Sequence, residues 1–432
     1  MTKQEAYQAR LGTVEGALEL VRSGDCITTS CYGNEPIHFL RQLHTVGPRV
    51  EGVCLWMMNN MEDYPVILDP ALEGHIDFLS AFYGPACRRM HPVRRVSLVP
   101  GNLHSIAAST IRARRPTVHV CAVSPMDPDG RVSLAFDLEA SLEWMEAADR
   151  VIFEINPNIP RMGGETMVPI EAADYLYEVE DSPLPYAPAT PASPVEEKIA
   201  EYVSSLIRDG DCIQLGIGGM PGAVGEKLLD KRDLGVHTEM ITASMGRLMR
   251  SGAVNNSRKN LNPGKSVGAF AWGDQALYDL MAGGGMIEMR RCSYTNDPFV
   301  IAQNDNMVSV NTALELDLTG QICSESVGPR QFSGTGGACD FAYGAYHSKG
   351  GRGIVAITST AKGGAVSKLK AQLTPGAVVS IPRNLADYVV TEYGIAPLRD
   401  RTIRQRVENL IAVAHPDFRA ELRRQADQWM LW

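Results

Sequence analysis

Gly210-Asp211-Cys212-Ile213-Gln214-Leu215-Gly216-Ile217-Gly218-Gly219-Met220-Pro221-Gly222 is the stretch that decides the fold. Residues 212–215 read as a short apolar strand, and clustered glycines follow directly. Glycine lets the backbone take positive φ and approach a ligand closely. Pro221 suits the first turn of a helix, where its missing N–H costs nothing. Strand, glycine loop and helix together open an α/β unit whose free backbone N–H groups can face an anion. A tight strand–helix connection with no ligand would use the same glycines.

The opening occurs twice. Gly24-Asp25-Cys26-Ile27 stands 186 residues before its second copy, and Gly33 stands before Gly219 at the same interval. A helical pattern precedes each copy (13–22 and 195–208), and a strand, a turn and another helix follow, which points to internal duplication. Further apolar runs at 118–123, 151–155, 353–357 and 377–381 read as buried parallel strands. Helical patterns at 141–148, 223–230 and 402–413 alternate with them. The expected fold class is therefore α/β, as two related open α/β/α domains with ligands at the carboxyl ends of the strands.

A chain of 432 residues exceeds what one core usually supports. Five prolines (183, 185, 188, 191 and 194) mark an extended linker. The expected division is a first domain at 1–180, a linker at 181–194 and a second domain at 195–432. Composition is that of a globular chain, with 44% hydrophobic and 21% charged residues. No apolar run is long enough to span a membrane and no signal pattern opens the chain, so the expected location is cytoplasmic. A net charge of −9 disfavours nucleic acid as the main partner. Nine cysteines without a Cys-x-x-Cys pair fit reduced, mostly buried thiols, and the histidines form no zinc motif.

Two further features bear on chemistry. Ser333-Gly334-Thr335-Gly336-Gly337-Ala338-Cys339-Asp340 is a second glycine-rich loop. Two such loops in one domain suit a site that holds both an oxyanion and a long phosphorylated carrier. Glu239, in Gly235-Val236-His237-Thr238-Glu239-Met240, is a carboxylate among apolar neighbours and reads as a nucleophile or as a surface acid. It lies 20 residues after Gly219, where a dinucleotide-binding fold keeps its ribose-binding acid. That fold, however, needs a glycine where Pro221 stands.

The ordered series of short motifs resembles the acetyl-CoA hydrolase/transferase group of glutamate-dependent CoA transferases. It runs through Ser124-Pro125-Met126-Asp127, Asn156-Pro157-Asn158-Ile159-Pro160-Arg161, Gly216 to Pro221, His237-Thr238-Glu239-Met240 and Tyr294-Thr295-Asn296-Asp297-Pro298. Glu315 to Gln321, Ser359-Thr360-Ala361-Lys362-Gly363-Gly364, Val390-Thr391-Glu392-Tyr393-Gly394 and His415-Pro416-Asp417-Phe418 complete it. The resemblance implies that Glu239 is the catalytic glutamate, forming a glutamyl-CoA thioester in a ping-pong exchange. It implies CoA contacts at Gly216, Ile217, Gly218, Gly219, Met220, Leu314, Gly337 and Lys362. It implies no metal and no permanently bound cofactor, an acyl-CoA and a carboxylate as small-molecule substrates, and a homodimer or higher homo-oligomer. An acyl-CoA hydrolase using the same site and a non-catalytic CoA-binding protein are the alternatives. Departures at Ala243-Ser244 and Asn102 to Ser105, with Met240, Met245 and Met249, suggest walls of an acyl pocket for a bulkier or less polar acid.

Overall fold

Runs of aliphatic and β-branched residues, buried on both faces, form the centres of two parallel sheets, as crossover-connected strands require. The structure is a computed structural model and describes residues 2–180, 182–188 and 190–431. Contacts divide it into two compact units, Met1–Ala187 with Val267–Thr295, and Pro188–Ser266 with Asn296–Trp432. Among the described residues, no helix is long and apolar enough to cross a membrane.

The first unit holds β1 (Leu11–Gly12), β2 (Cys26–Thr29), β3 (Val53–Met57), β4 (Ile76–Ser80), β5 (Val96–Leu98), β6 (Val118–Val123), β7 (Arg150–Ile155) and β8 (Tyr175–Glu178). They form one parallel sheet in the order β1-β8-β7-β6-β2-β3-β4-β5. The second unit holds β9 (Cys212–Leu215), β10 (Gly235–Val236), β11 (Met307–Thr312), β12 (Arg352–Ala356), β13 (Tyr388–Thr391) and β14 (Gly394–Pro397). Its order is β10-β9-β11-β12-β13-β14, parallel except for the closing β13–β14 hairpin.

The repeated Gly-Asp-Cys-Ile motif does the same work in both units. Gly24 and Gly210 take positive φ (78° and 84°), a conformation glycine adopts without a Cβ penalty. Asp25 accepts the Arg22 backbone N–H at 2.7 Å, and Asp211 accepts that of Arg208 at 2.7 Å. Each aspartate then meets an arginine from the strand two places along its sheet. Arg150 of β7 lies 2.7 Å from Asp25, and Arg352 of β12 lies 2.6 Å from Asp211. The same arginines donate to the Leu20 and Leu206 carbonyls, which are again related by the repeat interval. The Arg352–Asp211 pair is almost fully buried; it holds by charge proximity, since Arg352 Nη2 has no well-aligned hydrogen bond. Two sheets built around one corner support the duplication read from the sequence.

Two expectations need correction. Residues 377–381 are not a strand: Val378 and Val379 are 40% and 41% exposed, and Ile381 makes only an isolated bridge to Ile322. Pro375-Gly376 and Pro382 bracket the segment and deny it a ladder, and the true sheet strand is β13. The units are also not contiguous in sequence, because Val267–Thr295 belongs with the first one. Hydrogen bonds hold it there, from Leu138 N–H to Ala269 at 2.8 Å, Ala187 N–H to Gly273 at 2.9 Å and Tyr278 Oη to Pro185 at 2.6 Å. Asp181 and Ala189 of the proline-rich stretch lie outside the described residues. Its last proline, Pro194, opens the helix Pro194–Ser205 behind a Ser193/Glu196 capping box.

Candidate active site

In the second unit the glycine loop leaves β9 at its carboxyl end. Gly216 N–H still donates to Val310 of β11 at 2.9 Å, so the ladder runs on until the loop turns. Gly218 turns it, at φ 112° and ψ −176°, a region essentially reserved for glycine. The helix Gly219–Lys227 starts at once, with Pro221 in its first turn. Ile217 is 46% exposed at the loop tip, while Met220 is buried. A cavity of about 240 Å³ opens beside the loop at the carboxyl ends of β9, β11 and β12. Ile217 to Pro221 line it together with Thr312, Ala313, Ile357 and Thr358, and Glu196 and Lys368 supply the charges. Such crevices at strand carboxyl ends are where open α/β sheets bind ligands.

Glu239 follows β10. The ladder reaches His237, whose N–H donates to Ile213 at 3.2 Å, and buried Thr238 closes a turn onto Met240 O at 3.1 Å. The carboxylate oxygen Oε2 accepts the Asn296 Nδ2 donor at 3.0 Å. The Gly337 backbone N–H also donates to the carboxylate. Gly337 caps the helix Ala338–His347, so its amide is among those a helix leaves unsatisfied. A Cβ at this position would lie 1.8 Å from Glu239 Oε2 and 2.4 Å from Asn296 Nδ2. Only glycine lets the carboxylate rest here.

Burial pushes the Glu239 pKa up to about 7. Asp340, itself buried, adds repulsion, while the Asn296 and Gly337 hydrogen bonds favour the charged form and pull the other way. The side chain is half-buried by surface, so it can still be reached, although protein packs closely around the carboxyl. A reachable, desolvated carboxylate with the Asn296 donor on Oε2 and the Gly337 N–H beside it is equipped to attack an acyl carbon. The same donors can then hold the oxyanion formed when the glutamyl carbonyl of the resulting anhydride is itself attacked.

The residues singled out from sequence fall into groups. Ile217, Gly218, Gly219 and Met220 line the cavity, with Gly216 at their base. Glu239 and Gly337 meet directly. Leu314 lies just past the lining residues Thr312 and Ala313, its N–H bonded to Cys323 at 2.8 Å. Lys362 joins neither group: it is exposed, at φ 51°, in the turn between the short strands Thr360–Ala361 and Val366–Ser367. The lysine that lines the cavity is Lys368. Met240, Met245 and Met249 are buried core, and Ser244 packs against Gly225. Asn296 and Lys368 were not assigned roles from sequence. A single asparagine or lysine has no spacing signature, and only the folded chain shows what each one meets.

The sequence profile of the acetyl-CoA hydrolase/transferase N-terminal domain matches residues 96–188, and that of the C-terminal domain matches residues 273–426. A succinyl-CoA:cyclohexane-1-carboxylate CoA transferase of Geobacter metallireducens is 40% identical over 420 residues, covering 97% of this chain and 95% of that one. This chain belongs to the acetyl-CoA hydrolase/transferase family. The 4-hydroxybutyrate coenzyme A transferase of Clostridium kluyveri is 36% identical, covering 98% of each chain. The crystal structure of RipA from Yersinia pestis superposes with a TM-score of 0.93 at 34% identity, covering both chains completely. The chain is thus an enzyme, a CoA transferase that works between an acyl-CoA and a carboxylate. In this CoA transferase the acid after β10 is turned onto Asn296 and Gly337, which explains why its dinucleotide-like spacing misleads.

Proposed function

We propose that this CoA transferase works by ping-pong exchange through a glutamyl-CoA thioester on Glu239. The carboxylate attacks the donor thioester carbonyl, giving a mixed anhydride and expelling CoA thiolate. The thiolate adds to the glutamyl carbonyl, and the donor acid leaves as its carboxylate. An incoming carboxylate attacks the glutamyl thioester and again releases CoA thiolate. That thiolate then takes the acyl group from the second anhydride and frees Glu239. No net proton is taken up or released.

One observation carries the reading: the half-buried Glu239 carboxyl, with its pKa near 7, is held by the Asn296 amide on Oε2 and faced by the Gly337 backbone N–H. When thiolate adds to the glutamyl carbonyl, an oxyanion forms on the glutamyl group, and both donors already stand beside that carboxyl. CoA lies along Gly216 to Met220 in this reading, with Leu314 and Gly337 close to its path. The substrates are short-chain acyl-CoAs and carboxylic acids, and the working form is a cytoplasmic homodimer or higher homo-oligomer.

Intact-protein mass spectrometry after incubation with succinyl-, butyryl- and 4-hydroxybutyryl-CoA tests the mechanism. A CoA-sized adduct is expected on the native enzyme, absent in Glu239→Ala and discharged by added carboxylates. Steady release of CoA without an acceptor acid, and with no adduct, would make the enzyme a hydrolase instead.

A further inference from the structure

We propose that Lys368 grips a phosphate group of the CoA moiety, which makes it a binding residue for this reaction. The proposal rests on the reading of the chain as a CoA transferase with CoA lying along the glycine loop. Two charged side chains line the cavity beside that loop, Glu196 and Lys368. Glu196 is already committed: its carboxylate accepts both the N–H and the hydroxyl of Ser193 at 2.8 Å, as the capping box of its helix.

Lys368 is not committed in that way. Its side chain is half-buried, and among the described residues it makes no ion pair. Its ammonium donates to Thr358 Oγ1 at 2.9 Å, and a hydroxyl satisfies one donor without neutralising the charge. An ammonium withdrawn from water without a counter-ion is costly. Desolvation accordingly lowers the Lys368 pKa, with Glu392 and Glu196 acting in the opposite sense. Glu392 and Glu196 offset part of that charge without forming an ion pair with it, so an anionic ligand in the cavity would be its contact partner.

The lysine is also held in position. Its backbone N–H donates to Ser359 O at 2.9 Å. Ser359 is in turn fixed by its N–H and hydroxyl on the Glu392 carboxylate, at 2.9 and 2.5 Å. The cation therefore stands on a braced segment bonded to Ser359, just after β12, and lines the cavity. In CoA the anionic groups are the pyrophosphate and the 3′-phosphate. Lys362, which the sequence motif favoured, is exposed at a turn outside this cavity.

Isothermal titration of the full-length enzyme with CoA, dephospho-CoA and pantetheine tests the proposal whether or not the enzyme turns over. Lys368→Ala is expected to weaken CoA binding about 10- to 100-fold and to leave pantetheine binding unchanged. Lys368→Arg should restore CoA binding to within about threefold, and thermal unfolding should show both variants folded. If dephospho-CoA loses as much affinity as CoA, the lysine holds the pyrophosphate; if only CoA loses affinity, it holds the 3′-phosphate. Unchanged CoA affinity, equal weakening of CoA and pantetheine, or a rise confined to the KM of the acceptor acid would each overturn the assignment. Failure of the glutamyl-CoA mechanism would show separately, as a missing adduct on the native enzyme.

Discussion

Replacing Gly337 by alanine should remove activity while leaving the fold intact. The new Cβ would stand 1.8 Å from Glu239 Oε2, 2.9 Å from its Cδ and 2.4 Å from Asn296 Nδ2. Regaining ordinary contact moves the carboxylate by about 1.5 Å, and atoms in contact separate to roughly 3.5 Å. A 1 Å misplacement of a reacting group can cost about a hundredfold in rate. The expected fall in kcat is therefore at least about a hundredfold, with a matching loss of the glutamyl-CoA adduct. The backbone itself offers no objection, because Gly337 sits at φ −96° and ψ 5°, which alanine can adopt. The thermal midpoint should accordingly stay within a few degrees of the native value. Steady-state kinetics, intact mass and thermal unfolding on one preparation test this. A folded variant with native adduct and kcat within threefold would refute the placement of the chemistry at this carboxyl.

Asn296→Ala should lower kcat about 100- to 1,000-fold, the usual cost of one oxyanion donor. It should also move the acid limb of kcat/KM to higher pH, because the lost hydrogen bond favoured ionised Glu239. In the native enzyme kcat/KM should rise with pH through about 7 as Glu239 ionises; a profile flat from pH 5.5 to 8.5 would contradict that. The same pKa, raised from 4.5, makes Glu239 favour folding below pH 4.5 and lose that contribution as pH rises through about 7. Glu239→Gln should therefore gain stability relative to native by up to about 3 kcal/mol above pH 7. Parallel unfolding curves across the range would show an unshifted carboxyl. Arg352→Ala, which strands a buried Asp211, should cost about 3–5 kcal/mol in denaturant unfolding. Arg150→Ala should cost less, because Arg150 is 20% exposed against 9% for Arg352.

The amino-acid sequence by itself determined what local chemistry enforces. Glycine at 218 permits a φ no other residue takes easily, Pro221 starts a helix, and short aliphatic runs must be buried as strands. The Gly-Asp-Cys-Ile repeat disclosed the duplication, because a left-handed glycine followed by a turn-bridging aspartate is a local device. Ordered motifs pointed to Glu239 as the nucleophile through family resemblance. Local pattern misled at 377–381, where an aliphatic run had no neighbouring strand to pair with. It also missed the return of Val267–Thr295 to the first unit, since those hydrogen bonds join residues far apart in the chain. What makes Glu239 special was invisible for the same reason. Asn296 is 57 residues away from it, and its other donor, Gly337, lies further along the chain. Their convergence, and the choice of Lys368 over Lys362 as the cation of the cavity, depend on which segments the sheet brings together. Spacing in sequence carries residue identity and local conformation; desolvation and donor geometry arise only when distant segments pack, and the tertiary structure alone decided them.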